Sequence, residues 1–523
     1  MRGGRVVTVS AMSALVLAAL YLILPATGSD LSAQVARAGF FAAHGPALVD
    51  LRWYGGVHPW GYSLVSPPLM ALLGVRPTGA LALLASAVAF AALLVRARVP
   101  RPLLGSLVGV VTIAGNLVSG RVTYALGVAF GLAALLALTL PTAAAGRVRG
   151  ARAGAVVVAA LLASAASPVA GLFVGLAGVA LLLGRRWADG LLLAVPAAAP
   201  LAVTGLLFGE GGWMNISRTD TVHAVVTSLL VAALVAYRPV RVGALLSAAG
   251  VLAAALLPTP VGLNATRLVV MFALPVLAAA ATIPRALIGR LPRAAGAVGL
   301  AVLLAVVCWW QPPVVSADLR SADDPTADPA YFAPLRAELA RRGLTGRVEV
   351  PPTRNYWEAA RLGEVPLARG WLRQADIDRN PLFFTTVPGA AGTGVPLTAE
   401  SYRAWLADNA VQYVAVPDAE LSWVGRPEAE LVTAGQPYLT EVWSDRHWRL
   451  YAVADPTPLV GAPGELVRQD GASVTFRTPT AGPVPVRVRH DRWLTVTGGA
   501  TLSPAGDWLT VTVPRPGAYT VTG

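Results

Sequence analysis

The segment from Asp30 to Trp60 gathers Asp30, Arg37, His44, Asp50, Arg52, His58 and Trp60 in an otherwise apolar stretch of chain. Acids are scarce there: residues 1–313 hold only Asp30, Asp50, Asp189, Glu210 and Asp220. A carboxylate beside apolar spans is costly and generally marks a functional position. Asp30 offers a general base towards an incoming hydroxyl, with Asp50 as a second carboxylate. Arg52, Arg121, Arg218 and Arg267 carry guanidiniums suited to two-pronged contact with a phosphate. Such a set fits a transfer in which a base takes a proton while cations hold a leaving phosphate.

Each residue also has a plainer role. Asp is a favoured N-cap, and a helix is predicted over 31–43, so Asp30 is either a base or a cap. His58 and Trp60 fit a substrate rim, because indoles stack on sugar faces and a histidine titrates near neutral pH. Trp and Tyr also anchor proteins at a bilayer interface. Arg267, after Gly262-x-Asn264, heads an apolar run, where it either faces a wet cavity or snorkels to the interface. Arg121, in Ser119-Gly120-Arg121, poses the same choice. The candidate catalytic residue is thus Asp30, and the candidate substrate-binding residues are Asp50, Arg52, His58, Trp60, Arg121 and Arg267. A divalent cation is conceivable on His44 and His58 with Asp30 and Asp50, but the spacing matches no strong ligand pattern and no metal ligand is assigned.

These residues must be positioned by a membrane bundle. The 523-residue chain is 55% apolar and 13% charged, with a mean hydropathy of +0.61. Residues 1–313 carry 21 Arg and 5 acids, whereas residues 314–523 carry 20 Arg and 23 acids. The basic excess flanks apolar runs and forms no stripe along the tail, which excludes a nucleic-acid footprint. Every basic residue is Arg, a composition like that of a GC-rich actinobacterial genome. Cys308 is the only cysteine, so the tail is held by its own core, without an internal disulfide.

Apolar runs fall at about 6–25, 77–95, 102–119, 122–140, 188–208, 222–237, 242–257, 267–283 and 294–310. The stretch 154–184 is interrupted by Ser167-Pro168. Reading it as two helices puts Arg2, Arg5, Arg96, Arg98, Arg101, Arg147, Arg149, Arg152, Arg185, Arg186, Arg238, Arg241, Arg285, Arg290 and Arg293 on one side, which the positive-inside rule makes cytoplasmic. Eleven spans follow, with the N-terminus inside and the tail outside. The piece 62–75, broken by Ser66-Pro67-Pro68, is expected to be re-entrant or interfacial.

The expected domains are a transmembrane bundle over 1–313, an α/β domain over 314–455 and a small β-sandwich over 456–523. Helices are expected at 331–343, 356–362 and 398–410, with strands at 346–350, 411–417 and 448–453. Short strands between Gly, Pro and Asp-Gly turns are expected at 473–477, 484–488, 493–496, 508–513 and 519–521. The aromatic and charged segment 371–384 is either a lid over the membrane site or an ordinary packed loop. Walker, dinucleotide, zinc and serine-hydrolase patterns are missing.

The layout resembles the GT-C class of membrane glycosyltransferases. The resemblance rests on Gly28-Ser29-Asp30 after the first span, the long first outer loop with its amphipathic helix, and the run of about eleven spans. The extracytoplasmic tail is similar to that of the oligosaccharyltransferase catalytic subunit and of arabinosyl- and mannosyltransferases. Arg354-Asn-Tyr-Trp-Glu358, Ala368-Arg-Gly-Trp371 and Asn380-Pro-Leu-Phe-Phe384 resemble actinobacterial membrane proteins of no assigned activity. The resemblance implies transfer of a sugar from a polyprenyl-phosphate donor to an envelope glycan, lipid or protein acceptor, in the bilayer and without nucleic acid, with Asp30 as base or metal-side carboxylate. Trp309-Trp310 is followed by Gln311 instead of the acid of the oligosaccharyltransferase signature, which argues against that reaction. The rival readings are a transporter or flippase of envelope precursors, for which two similar halves are lacking, and a non-catalytic envelope scaffold.

Overall fold

The computed structural model describes residues 3–141, 146–209, 211–282 and 293–523. Helices occupy the apolar runs: α1 (Gly3–Ile23), α2 (Asp30–His44), α3 (Ser66–Leu73), α4 (Val75–Arg96), α5 (Pro102–Val118), α6 (Val122–Leu138) and α7 (Gly146–Ala166). They continue as α8 (Pro168–Leu183), α9 (Trp187–Phe208), α10 (Arg218–Leu234), α11 (Arg238–Leu256), α12 (Arg267–Ala280) and α13 (Arg293–Trp310). Among the described residues six helical stretches are long and apolar enough to cross a membrane: α1, α4, α9, α11, Arg149–Ala166 of α7, and Gly262–Ala280 ending in α12. Shorter apolar helices are α5, α6, α8 and Ala295–Trp310. Large side chains such as Leu206 and Trp309 stand exposed on them, as a lipid-facing surface would have it. The chain is a multi-pass helical membrane protein. Arg2, Glu210, Arg285 and Arg290 lie outside the described residues.

The stretch 154–184 is two helices, for a local reason. Ser167 is extended (φ −153°, ψ 115°), its hydroxyl accepts from Ala170 N at 3.4 Å, and Pro168 takes the first helical position, where a missing N–H costs nothing. α3 has eight residues, about 12 Å of helix, too short to span. Its start docks on the end of α7: Ser66 N donates to Ser63 Oγ at 2.9 Å, and Ser66 Oγ donates to Ala166 O at 3.0 Å. The backbone N–H of Ser66 is thereby satisfied inside protein, as the bilayer demands.

In the tail, β1 (Arg347–Glu349), β2 (Val411–Pro417), β3 (Leu439–Ser444) and β4 (Trp448–Val453) form a sheet of order β1-β2-β4-β3. β1 runs parallel to β2 and the other pairs are antiparallel. Helices Pro329–Arg342, Ala399–Asp408 and Gly425–Thr433 accompany it. Thr398 and Ser401 form a capping box at the second of these. The 356–362 helix is shorter than expected, Glu358–Arg361. β3, Gly425–Thr433 and a helix at Arg373–Arg379 were not expected.

The remaining strands are β5 (Glu465–Gln469), β6 (Ser473–Thr478), β7 (Gly482–Arg489), β8 (Thr495–Val496), β9 (Thr501–Ala505), β10 (Trp508–Val513) and β11 (Gly517–Thr522). They form two sheets, β7-β10-β9 and β5-β6-β11-β8. One core joins both, built from alternate residues such as Val474, Phe476, Val484, Val486, Val511 and Val521.

Val49 and Leu51 of the first long loop belong to that same core. Leu51 N donates to Gly471 O at 2.7 Å, and Leu367 N donates to Arg52 O at 2.7 Å. Leu367 bridges both Trp53 and Val348 in parallel fashion. The loop is therefore a structural strip joining the two sheet systems of the tail.

Candidate functional site

Two backbone crossings set the geometry around Asp30. Gly28 (φ 84°) precedes α2, and Gly120 (φ 78°) lies in the turn between α5 and α6. A Cβ on Gly28 would stand 2.2 Å from the Ser119 carbonyl carbon, and one on Gly120 would stand 2.3 Å from Leu31 N. Only glycine combines a left-handed backbone with such an approach. Thr27 Oγ1 fastens the crossing by donating to Val118 O at 2.8 Å.

This crossing brings Arg121 beside Asp30. The Asp30 carboxylate lies in the first turn of α2, where negative charge complements the helix dipole, and Ser29 at the cap position makes no side-chain capping bond. Arg121 Nε and Arg267 Nη2 each donate to Asp30 Oδ2 at 3.2 Å. Arg267 follows the 3-10 turn Gly262–Thr266, and its guanidinium sits 5.4 Å from the Tyr124 ring centre. One carboxylate facing two guanidiniums leaves a net charge of about +1, suited to an anion.

Asp30, Arg121 and Arg267 line a cavity of about 600 Å3, together with Tyr62, Tyr124 and Asp220. The tail supplies its other wall: Tyr356, Trp371, Arg373 and Gln374. Trp371 Nε1 donates to Ser29 O at 2.7 Å, Gln374 Nε2 to Pro260 O at 3.3 Å, and Ser32 Oγ to Asn355 O at 2.6 Å. The Arg37 guanidinium lies 3.6 Å over the Tyr62 ring and 5.4 Å from the Trp371 ring centre. Arg37 thus backs two aromatic wall residues.

Tyr124 also lines a second, largely apolar groove of about 360 Å3. Its walls include Phe90, Val128, Phe173, Val231, Leu268 and Phe272 from α4, α6, α8, α10 and α12.

The other residues expected at the site lie outside this cavity. Asp50 and Arg52 are 2% and 5% exposed and face each other, with Arg52 Nε and Nη2 donating to the two Asp50 oxygens at 2.9 and 2.7 Å. Arg52 Nη2 also donates to Ala36 O at 3.1 Å, so this pair locks the strip onto α2. Trp60 Nε1 donates to Ala47 O at 2.9 Å, and the ring meets Phe41 edge-on. His58 pairs with Asp491 at 2.6 Å in a separate cavity of about 320 Å3 that Arg379, Arg489 and Asp507 also line. Burial works to raise the Asp491 pKa, but His58 and the Trp493 amide bring it below the usual carboxylate range. None of these four reaches the Asp30 cavity, because the loop that carries them is committed to the tail sheets. Arg218 is exposed at the start of α10.

The four residues considered for a cation share no partner: His44 goes to Glu364 at 2.9 Å, His58 to Asp491, Asp30 to Arg121 and Arg267, and Asp50 to Arg52. His44, Glu364 and Asp470 do have ligand atoms within 4.8 Å of one another.

Arg373 was missed, although the aromatic and charged segment 371–384 held its signal. The start of that segment roofs the cavity, and its later part packs inside the tail. There Asp376 and Glu428 accept from Arg369 at 3.0 and 2.8 Å. Burial pushes Glu428 up to about 7, with Arg369 opposing.

No family model and no curated protein matches the chain. Among solved structures it is similar to the arabinofuranosyltransferase AftD from Mycobacteria, at 14% identity and a TM-score of 0.47, over 99% of this chain. The chain spans 60% of the length of that protein. It is also similar to ArnT from Cupriavidus metallidurans, at 14% identity and a TM-score of 0.46, in the apo state and bound to undecaprenyl phosphate. The first of these covers 86% of this chain and 99% of ArnT, the second 87% and 99%. At such scores the likeness is one of general layout and bears on neither the residues nor the reaction.

Proposed function

We propose that the chain is an integral membrane glycosyltransferase that moves a sugar from a polyprenyl-phosphate donor to an envelope glycan, lipid or protein acceptor at the outer face. The observation that carries this reading is the meeting of two environments at Tyr124. On one side lies a cavity with a carboxylate and clustered guanidiniums, on the other an apolar groove among helices. A lipid phosphate has that dual character: a charged head and an isoprenoid tail.

In this reading the acceptor hydroxyl attacks the anomeric carbon as Asp30 takes its proton, and the phosphate leaves with the bonding electron pair. Both arginine contacts fall on Asp30 Oδ2, which leaves Oδ1 for the hydroxyl. Arg121 and Arg267 orient the carboxylate and offset charge that develops on the phosphate. The bundle crosses the membrane eleven times, N-terminus inside, which puts the Asp30 cavity and the tail on the outer face.

The test is glycan and lipid profiling of the envelope in a deletion strain rescued with wild type or Asp30→Asn. A sugar linkage that disappears on deletion and returns with wild type alone supports the reading. A profile unchanged by deletion overturns it.

A further inference from the structure

We infer that Arg373, supplied by the tail, is the cation that takes the anionic group of the substrate in the Asp30 cavity; this deepens the transferase reading and rests on it. Of the guanidiniums singled out from the sequence, Arg218 is exposed at the start of α10, Arg52 is matched with Asp50, and Arg121 and Arg267 share the one carboxylate of Asp30. Arg373 lines the same cavity, yet among the described residues it forms no ion pair. Its polar contact is a 3.5 Å hydrogen bond from Nη2 to the Tyr356 hydroxyl, and its guanidinium lies 5.5 Å from the Trp423 ring centre.

The backbone that carries Arg373 is pinned on both sides. Trp371, two residues earlier, is bonded to Ser29 O beside Asp30, and Gln374, the next residue, is bonded to Pro260 O before α12. The side chain is thus held over the cavity by anchors on two membrane segments far apart in the chain. Burial works to lower its pKa, but Tyr356, Asp376 and Asp30 together raise it, so it stays charged. A partly desolvated guanidinium without a counter-ion has the planar donor fork that phosphate and carboxylate oxygens match.

The charge count points the same way. Asp30 and Asp220 bring two negative charges to the cavity wall, and Arg121, Arg267 and Arg373 bring three positive ones, an excess of one. Removing the tail removes that excess, which makes the cavity a composite of both parts of the chain. The ligand is a phosphate ester or a carboxylate. Its source is either the donor lipid headgroup or an anionic group on the acceptor.

Binding to the purified full chain in detergent separates these sources. The probes are undecaprenyl phosphate against undecaprenol, and glucose 6-phosphate or glucuronate against glucose. Wild type is expected to prefer the lipid phosphate over the alcohol. Arg373→Gln is expected to lose that preference by on the order of tenfold to a hundredfold at an unchanged unfolding temperature, and Arg373→Lys to lose it several-fold only. If the lipid preference survives in Arg373→Gln but binding of the anionic sugar is lost, the charge belongs to the acceptor and the inference stands. Undiminished binding of both anions by Arg373→Gln overturns it. If wild type fails to tell the lipid phosphate from the alcohol, the donor reading falls, and Arg373 is judged by the sugar anions alone. Should Arg373→Gln not fold, Arg373→Lys decides: a charge without the planar fork weakens the anion several-fold and leaves the neutral probes unchanged, and equal affinity for the anions overturns the inference.

Discussion

Asp30 and Arg267, 237 positions apart in the chain, are joined side chain to side chain at 3.2 Å, and Arg121 shares the same carboxylate oxygen. The acid is thereby held by the turn before α6 and by the head of α12 at once. Asp30→Asn keeps the shape and removes the base. Transfer activity is expected to fall by on the order of a hundredfold or more with little change in unfolding temperature. Full activity in Asp30→Asn, measured as product formed in membranes, would remove Asp30 from the chemistry.

Asp50 and Arg52 call for the opposite outcome. The pair is buried and away from the cavity, so Asp50→Ala leaves an unpaired guanidinium in the interior, at a cost of about 3–5 kcal/mol. A lower unfolding temperature and poor yield are expected, with specific activity of the folded fraction near that of wild type. Replacing both partners, Asp50→Leu with Arg52→Met, is expected to restore part of the stability, since no charge is then stranded.

The glycine crossing gives a third test. At Gly120 a side chain would meet the backbone of Leu31, so Gly120→Ala must push the Arg121 turn off α2. A loss of stability of about 1–3 kcal/mol is expected from the strained backbone alone, together with lost activity as Arg121 leaves Asp30. Gly39 in α2 has open space around its would-be Cβ. Gly39→Ala should be neutral or stabilise by roughly 0.5–1 kcal/mol. Equal effects of the two substitutions would contradict the crossing.

Glu358 in the tail predicts a pH dependence. Burial raises its pKa to about 7, against hydrogen bonds from Thr353 Oγ1 at 2.6 Å and Thr353 N at 3.3 Å that favour the charged form. The folded state therefore prefers the neutral carboxyl. Its stabilising contribution is complete below the unfolded value of 4.5 and is lost as pH rises through about 7. The amplitude is on the order of 3 kcal/mol. Unfolding temperatures of wild type and Glu358→Gln, taken from pH 4 to 8, should diverge, the variant holding its stability where wild type declines. Parallel curves would show that Glu358 ionises freely.

The sequence resolved the local features well. Ser167-Pro168 encodes its own helix break, and alternate valines such as Val484, Val486 and Val488 their own strand faces. In the tail, β3 was invisible because its burial does not alternate, and Gly425–Thr433 because two of the four residues on its regularly spaced buried face, Gly425 and Glu428, are not apolar. Asp30, Arg121 and Arg267, singled out by type alone as ionisable groups beside apolar runs, line one cavity. Asp50, Arg52, His58 and Trp60 carried an identical signal and lie outside that cavity.

What the amino-acid sequence determined by itself is the class of solvent each segment meets, because run length, arginine placement and scarcity of acids follow from transfer energies acting residue by residue. Which guanidinium meets which carboxylate was decided only by the tertiary structure. Arg52 turns inward to Asp50 because Val49 and Leu51 are drawn into the sandwich core, and Arg373 reaches the cavity because Trp371 is bonded to Ser29 O. Such pairings join residues up to hundreds of positions apart, and no local periodicity carries a distance of that kind.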